Sequence, residues 1–214
     1  MEIIYAIPGL GTTRDLYSNI SVANHQIKVL DWPLPEKDLS LESYALKFLD
    51  QIDQTKPVKL IGVSFGGMIC SEIAENIQVN KLVLISSCKN RNEFPLLLKL
   101  VRIFPLYRAF SDRLIRAIAK TKRQFIGFEK SFEPTFVAMI DQMPQNYFSN
   151  CIAYILNWKR RTNNTNPVHI HGTADRLLIH RRIKNYYPVT GGSHAMVMSE
   201  AGEINVILNK VMNG

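Results

Sequence analysis

What this 214-residue chain lacks narrows it first. No stretch approaches the roughly 18 consecutive apolar residues that a membrane-spanning helix requires, so no stable membrane insertion is expected. Met1 leads within two residues into Ile3-Ile4-Tyr5-Ala6-Ile7, without the basic start, apolar stretch and small-residue cleavage site of a secretory signal, which points to the cytoplasm. Cysteine is confined to Cys70, Cys88 and Cys151, an odd number at no metal-ligand spacing. Buried reduced thiols are the expectation, with neither a disulfide framework nor a metal site. No repeat or low-complexity segment is present, and with 46% hydrophobic and 21% charged residues the chain is not disordered. Its length suits one core carrying an insertion better than two small domains.

Charge is unevenly placed. The formal net charge is +8, and the segment from Cys88 to Arg161 holds fourteen Lys and Arg against five Asp and Glu, while the remainder is nearly balanced at twelve against thirteen. Such a segment either steers anionic small molecules, acyl carriers or acidic lipid surfaces, or is a solvated helical face with no ligand. No nucleic-acid partner is expected.

The first half alternates strand and helix. Apolar runs at Glu2 to Ile7, Gln26 to Trp32, Val58 to Val63 and Leu82 to Ser86 predict strands; helices are predicted at Arg14 to Val22, at Leu41 to Ile52 behind an Ser40 N-cap, and at Phe65 to Ile77. Regular alternation with short connections implies a parallel sheet covered on both faces. From Cys88 to about Met143 the strand signal gives way to apolar and basic residues at helical spacing, broken at Pro95, Pro105 and Pro134. A further helix is predicted at Tyr147 to Trp158, strands at Pro167 to His171 and ending at Val189-Thr190, and a last helix from about Ala195 to Val211.

Gly62-Val63-Ser64-Phe65-Gly66 fits G-x-S-x-G, with a hydrophobic strand before it and a helical pattern after it. That is the setting of a nucleophile elbow, a tight turn that exposes a serine hydroxyl above a helix N-terminus, where unpaired N–H groups stabilise an oxyanion. A serine hydroxyl needs a base to take its proton. Of five histidines, His25 precedes a strand and His180 sits in a basic loop, where solvated roles are expected; His169 and His171 alternate on a strand, and His171 reads as a satisfied structural histidine. His194 instead follows Thr190-Gly191-Gly192-Ser193 just past the last strand, at the sheet edge where catalytic groups of parallel sheets gather. Asp175, in His171-Gly172-Thr173-Ala174-Asp175, is the candidate acid that orients this base, with a helix cap or Asx-turn as its structural alternative.

With the order Ser64, Asp175, His194, the chain resembles a small capped, carboxylesterase-like member of the α/β-hydrolase superfamily over nearly its whole length. The resemblance rests on Gly62 to Gly67, His171 to Asp175, Gly191 to His194, and Pro8-Gly9-Leu10-Gly11. It implies an α/β fold with a six-stranded, mostly parallel sheet of order 4-3-5-6-7-8 in the family's strand numbering, the leading hairpin absent. Residues 1–87 and 147–214 would form the core and 88–146 an inserted helical cap. Eighteen residues separate Asp175 from His194, which leaves room for only a turn where relatives have a crossover helix. By the same resemblance the oxyanion donors are the backbone N–H groups of Leu10 and Phe65, although Pro8 replaces a histidine common in relatives. Phe104, Tyr107, Phe110, Phe125, Phe128 and Phe132 are expected to supply an apolar pocket with basic residues near its rim. The implied activity is hydrolysis of an ester or thioester with an apolar acyl or alcohol part, anionic substrates included, with no cofactor and no metal. Alternatives on the same fold are a slow or non-catalytic small-molecule binding protein, and C–C bond hydrolysis or lyase chemistry.

Overall fold

Six short runs rich in Val, Ile, Leu and Tyr become the strands of one sheet. The computed structural model describes residues 1–103, 110–121 and 126–214. The strands are β1 (Glu2–Ile7), β2 (His25–Val29), β3 (Val58–Val63), β4 (Val79–Ile85), β5 (Val168–Gly172) and β6 (Tyr186–Val189). They are hydrogen-bonded in the order β2-β1-β3-β4-β5-β6. The order is the expected one, and the sheet is parallel at every pairing rather than mostly so. All six residues of β3 are buried, as a central strand covered on both faces requires. Because β1 pairs with β2 on one side and β3 on the other, the chain reverses its winding direction between β1 and β3, and the loops that follow these two strands open a crevice at their carboxyl ends.

Helices α1 (Leu41–Leu46) and α2 (Phe65–Ile73) pack against each other, and all nine residues of α2 are buried. Ser40 accepts the N–H of Ser43 and caps α1 as expected. Between β4 and β5 the described residues include the helices α3 (Leu96–Ile103), α4 (Asp112–Thr121), α5 (Glu133–Asp141) and α6 (Tyr147–Asn157). Pro134 does not break this segment; it lies in the first turn of α5, where its missing N–H has no partner to lose. Pro105 lies outside the described residues. Part of the basic excess is structural, because Arg116 of α4 donates to the carbonyls of Met143 and Pro144 just past α5, at 3.1 and 3.0 Å. No helix among the described residues is long and apolar enough to cross a membrane. Cys70, Cys88 and Cys151 are buried and unbridged.

Several boundaries differ from the sequence pattern. The helix expected over Arg14 to Val22 is a single 3₁₀ turn, Arg14–Tyr17. Asn205 and Asn209 of α8 (Ala201–Asn213) reach across to accept the N–H groups of Ser21 and Ala23, at 3.0 and 2.8 Å, so this stretch satisfies its backbone by tertiary contacts instead of helix. The predicted terminal helix is split into α7 (Met196–Ser199) and α8 at Glu200, whose φ of −106° leaves the helical range. The helices begun at Leu41 and Phe65 end early, at Leu46 and Ile73.

Two histidines are less exposed than expected. His25 opens β2 with its side chain 3% exposed. Its Nδ1 lies 2.8 Å from the Ala23 carbonyl, so it carries the proton, and its Nε2 accepts from the Lys59 ammonium at 2.7 Å. His180 lies in a 3₁₀ turn, His180–Arg182, half-buried with its ring 6.1 Å from that of Tyr186.

At the tight turn after β3, a Cβ on Gly66 would stand 2.2 Å from the Ile7 carbonyl oxygen. Gly66→Ala is expected to cost about 2–3 kcal/mol, a fall in melting temperature of roughly 4–12 °C. Gly202→Ala, in α8 where an added Cβ meets nothing within 4 Å, should raise stability by up to about 1 kcal/mol. Thermal melts of the two variants beside the wild type check both.

His169 is 1% exposed with neither ring nitrogen hydrogen-bonded among the described residues. Burial, and then the charge of Lys89, push its imidazole down to about 3. Above pH 6.5 the ring is neutral folded or unfolded; below it the unfolded chain binds a proton that the folded chain resists. Stability should therefore fall by about 1.4 kcal/mol for each pH unit from this residue as the pH drops below 6.5. Urea unfolding of wild type and His169→Leu at pH 7, 6 and 5 measures that contribution, and the variant should show the shallower slope.

Candidate active site

Ser64 sits where β3 turns into α2, with φ 52° and ψ −118°, a conformation L residues rarely adopt. The strain is held from several sides. Ser64 N–H donates to the Ile85 carbonyl at 3.0 Å, and the Ser64 carbonyl accepts from Ser87 Oγ at 2.6 Å and from the Gly67 N–H at 3.0 Å. The hydroxyl is thereby lifted above the start of α2 and into the crevice.

The loops after β5 and β6 are joined to each other before they reach this point. Thr173 N–H donates to the Val189 carbonyl and Ala174 N–H to the Gly192 carbonyl, both at 3.0 Å, and Gly191 N–H donates to Thr173 Oγ1 at 2.9 Å. Gly172 permits this approach, since a Cβ there would lie 2.1 Å from the Gly192 carbonyl oxygen. A 3₁₀ turn, His180–Arg182, is the helical element between Asp175 and His194, in keeping with the short spacing.

The fold brings the three candidate side chains together. Ser64 Oγ lies 2.8 Å from His194 Nε2, and His194 Nδ1 lies 2.8 Å from Asp175 Oδ2. Asp175 also forms the Asx-turn anticipated as its alternative: its Oδ1 accepts the N–H groups of Leu177 and Leu178 at 2.8 and 2.9 Å. One oxygen serves the backbone and the other the histidine. Burial pushes the Asp175 carboxyl up, but the charge of His194 and the hydrogen bonds from His171, His194 and the Leu178 N–H outweigh it and hold the group well below the usual carboxylate range. His171, expected to be structural and satisfied, has its Nε2 2.7 Å from the Leu178 carbonyl and 3.2 Å from Asp175 Oδ2, while its Nδ1 has no partner among the described residues. The spacing of four between His171 and Asp175 was the available signal.

Gly9, Leu10 and Phe65 line the same cavity as Ser64. The turn is closed by Thr12, whose N–H and hydroxyl both donate to the Gly9 carbonyl, at 3.1 and 2.8 Å. Trp32 holds it from outside, donating from Nε1 to the Thr12 carbonyl at 2.7 Å and stacking on Phe65 at 5.6 Å. Among the described residues neither the Leu10 nor the Phe65 amide donates to another protein group.

The cavity over Ser64 and His194 measures about 330 Å³. Leu10, Met68 and Val197 line it together with Phe128, Phe136 and Ile152 from the helical segment; the polar side chains among its described lining are Thr12, Ser64 and His194. The aromatic set expected to build this pocket is only partly placed here. Phe128 lines it and stacks on Phe136 at 4.1 Å, whereas Phe132 packs on the core without lining it and Phe110 is 46% exposed beside a different groove. Phe104, Tyr107 and Phe125 lie outside the described residues. Phe136 and the α6 residues Ile152 and Ile155 went unread, because which face of a helix meets a distant pocket is set by packing. No Lys or Arg occurs in the described lining, and no group of three or more His, Cys, Asp or Glu among the described residues could hold a metal ion.

No curated protein matches the chain in sequence. Solved structures do match in shape. A putative non-heme bromoperoxidase, BpoC of Mycobacterium tuberculosis H37Rv, is similar with a TM-score of 0.76 at 14% identity, over 100% of this chain and 92% of that one. The esterase EaEST of Exiguobacterium antarcticum is similar with a TM-score of 0.75 at 13% identity, over 100% and 92%. A bromoperoxidase of Bacillus anthracis has a TM-score of 0.73 at 16% identity, again over 100% and 92%. In sequence, residues 33–174, more than half of the chain, match the family model described as the alpha/beta hydrolase fold, and the chain belongs to that family.

Proposed function

We propose that this protein is a serine hydrolase that cleaves a carboxylic ester or thioester with an apolar acyl or alcohol part, through an acyl-enzyme on Ser64. One observation carries the reading: the hydrogen-bonded series Ser64–His194–Asp175, each link 2.8 Å, opens onto a cavity with almost no polar lining. Asp175 Oδ2 accepts the Nδ1–H of His194, which leaves Nε2 bare and aimed at the hydroxyl. As Ser64 Oγ bonds to the substrate carbonyl carbon, its proton passes to His194 Nε2. The negative charge gathered on the carbonyl oxygen is met by the Leu10 amide in the turn after β1 and the Phe65 amide at the start of α2. Collapse expels the alcohol or thiol, which takes the proton from His194, and water repeats the sequence to release the acid.

In this reading residues 88–146 act as a cap over a core of 1–87 and 147–214, and α6, though assigned to the core, contributes to the pocket wall. The described lining has no Lys or Arg to pair with a buried anion, so the part of the substrate held there, acyl or alcohol, is neutral and apolar. The specificity constant on p-nitrophenyl esters should rise about fourfold for each added methylene until the cavity is filled, since each buried CH₂ is worth about 0.8 kcal/mol. Esters of dicarboxylic acids with a free terminal carboxylate should react at least about a hundredfold more slowly than neutral ones of equal length. Equal rates would remove the apolar-pocket assignment.

A fluorophosphonate should label Ser64, and both labelling and ester turnover should vanish in Ser64→Ala. Loss in kcat is expected to be about 10⁶-fold for Ser64→Ala or His194→Ala and about 10⁴-fold for Asp175→Asn, which presents the wrong tautomer. Asp175→Asn keeps Oδ1 for the Leu177 and Leu178 amides, so it should remain folded by circular dichroism. Wild-type rates in Asp175→Asn would show that another group is the acid. Labelling of Ser64 with no turnover of any ester would instead favour a small-molecule binding role.

A further inference from the structure

The acid of the proposed relay has a second histidine on the oxygen it offers to the first. Asp175 Oδ2 lies 2.8 Å from His194 Nδ1 and 3.2 Å from His171 Nε2, and the His171 and Asp175 side chains are wholly buried. The protonation of His171 follows from its neighbours. A carbonyl oxygen only accepts, and the Leu178 carbonyl is 2.7 Å from Nε2, so Nε2 carries the hydrogen and donates it to Leu178 O, with Asp175 Oδ2 3.2 Å from the same nitrogen. A second proton on Nδ1 would be buried without an acceptor among the described residues, which disfavours the cation. His171 is thus a neutral donor fixed on the penultimate residue of β5, with Asp175 four residues on and Leu178 seven.

We propose that His171 is a positioning residue: its Nε2–H clamps the Asp175 carboxylate and the Leu178 carbonyl together, fixes the loop that carries the acid, and draws off part of the negative charge that Asp175 presents to His194. This rests on the hydrolase reading above for its kinetic consequences, but its structural claim does not. Two effects are expected from losing the donor. The loop that Asp175 anchors loses its clamp, so the base is less well aimed. The carboxylate turns more charge toward His194 and stabilises the imidazolium, so the base becomes active only at higher pH. Besides Asp175 and His194, the titratable groups facing His171 are His169, one alternate position back on β5, Glu93 in the 3₁₀ turn Arg91–Glu93, and Tyr186 on β6, whose ring stands 6.3 Å away. Lys89 and His180 stand one contact further out, against Glu93 and Tyr186.

The test compares His171→Leu, which removes the donor, with His171→Gln, whose Nε2–H₂ can take its place. With p-nitrophenyl esters, His171→Leu should lower kcat about 10- to 100-fold with KM little changed and move the acid limb of the kcat/KM profile up by about half a pH unit. His171→Gln should recover most of the rate and restore the limb. If both variants lose rate alike, or the limb stays in place in His171→Leu, the residue only packs and the proposal falls. A measurement on the unmodified protein guards against a variant that does not fold: ¹⁵N-labelled histidine spectra should place the hydrogen of His171 on Nε2, with Nδ1 unprotonated. A proton on Nδ1 overturns the clamp whatever the enzyme activity. Should the wild type neither label with fluorophosphonate nor hydrolyse esters, the hydrolase reading fails by itself, and the clamp is then decided by those spectra and by the low-field Nδ1–H resonance of His194, which should move in His171→Leu and return in His171→Gln.

Discussion

At the end of β3 the chain reverses so closely that a methyl group on Gly66 would stand 2.2 Å from the Ile7 carbonyl, and Ser64 is left with a positive φ. That contact between the start of α2 and the end of β1 is the constraint on which the site depends. It requires the two central strands to be neighbours, which the parallel order β2-β1-β3-β4-β5-β6 supplies. It also places the Gly9-Leu10 turn against the serine, so that one strained junction brings the hydroxyl and the Leu10 and Phe65 residues to the same cavity. The strain of that single residue is held by its hydrogen bonds to Ile85 at the end of β4, to Ser87 just beyond it and to Gly67 in α2.

A second constraint lies on the other half of the sheet, where Asp175 divides its two oxygens. Oδ1 closes a local turn with the Leu177 and Leu178 amides, and Oδ2 meets His194 and His171. A carboxylate with four donors around it stays charged despite burial, because hydrogen bonds and the opposing charge outweigh the loss of water. The same group therefore orders its own loop and faces His194. The hydrocarbon cavity strengthens these interactions by excluding water.

Local signals were readable where neighbours in sequence are neighbours in space. Strand runs, the Ser40 cap and the elbow Gly62 to Gly66 depend on a few adjacent residues; the cap and elbow stand where the pattern put them, and the strands do so to within about three residues, β2 ending at Val29 and β4 starting at Val79. Ser64, Asp175 and His194 could be singled out because each follows a strand, and parallel strands deliver their carboxyl ends to one edge. The Arg14 to Val22 stretch is not a helix because side chains of α8, 184 and 186 positions away, take up backbone groups a helix would have used. His25 looked solvated for a similar reason: Lys59, from β3, covers it.

Taken alone, the sequence determined the order of the elements, the parallel sheet and the three residues at its rim, since these follow from hydrophobic period, turn chemistry and chain order. Only the tertiary structure decided which residues wall the cavity, that its described lining holds no Lys or Arg, and that His171 shares the oxygen of Asp175 with His194. Those facts depend on which faces of separate helices and strands meet, and such meetings are settled by close packing of the whole core, which no short stretch of chain encodes.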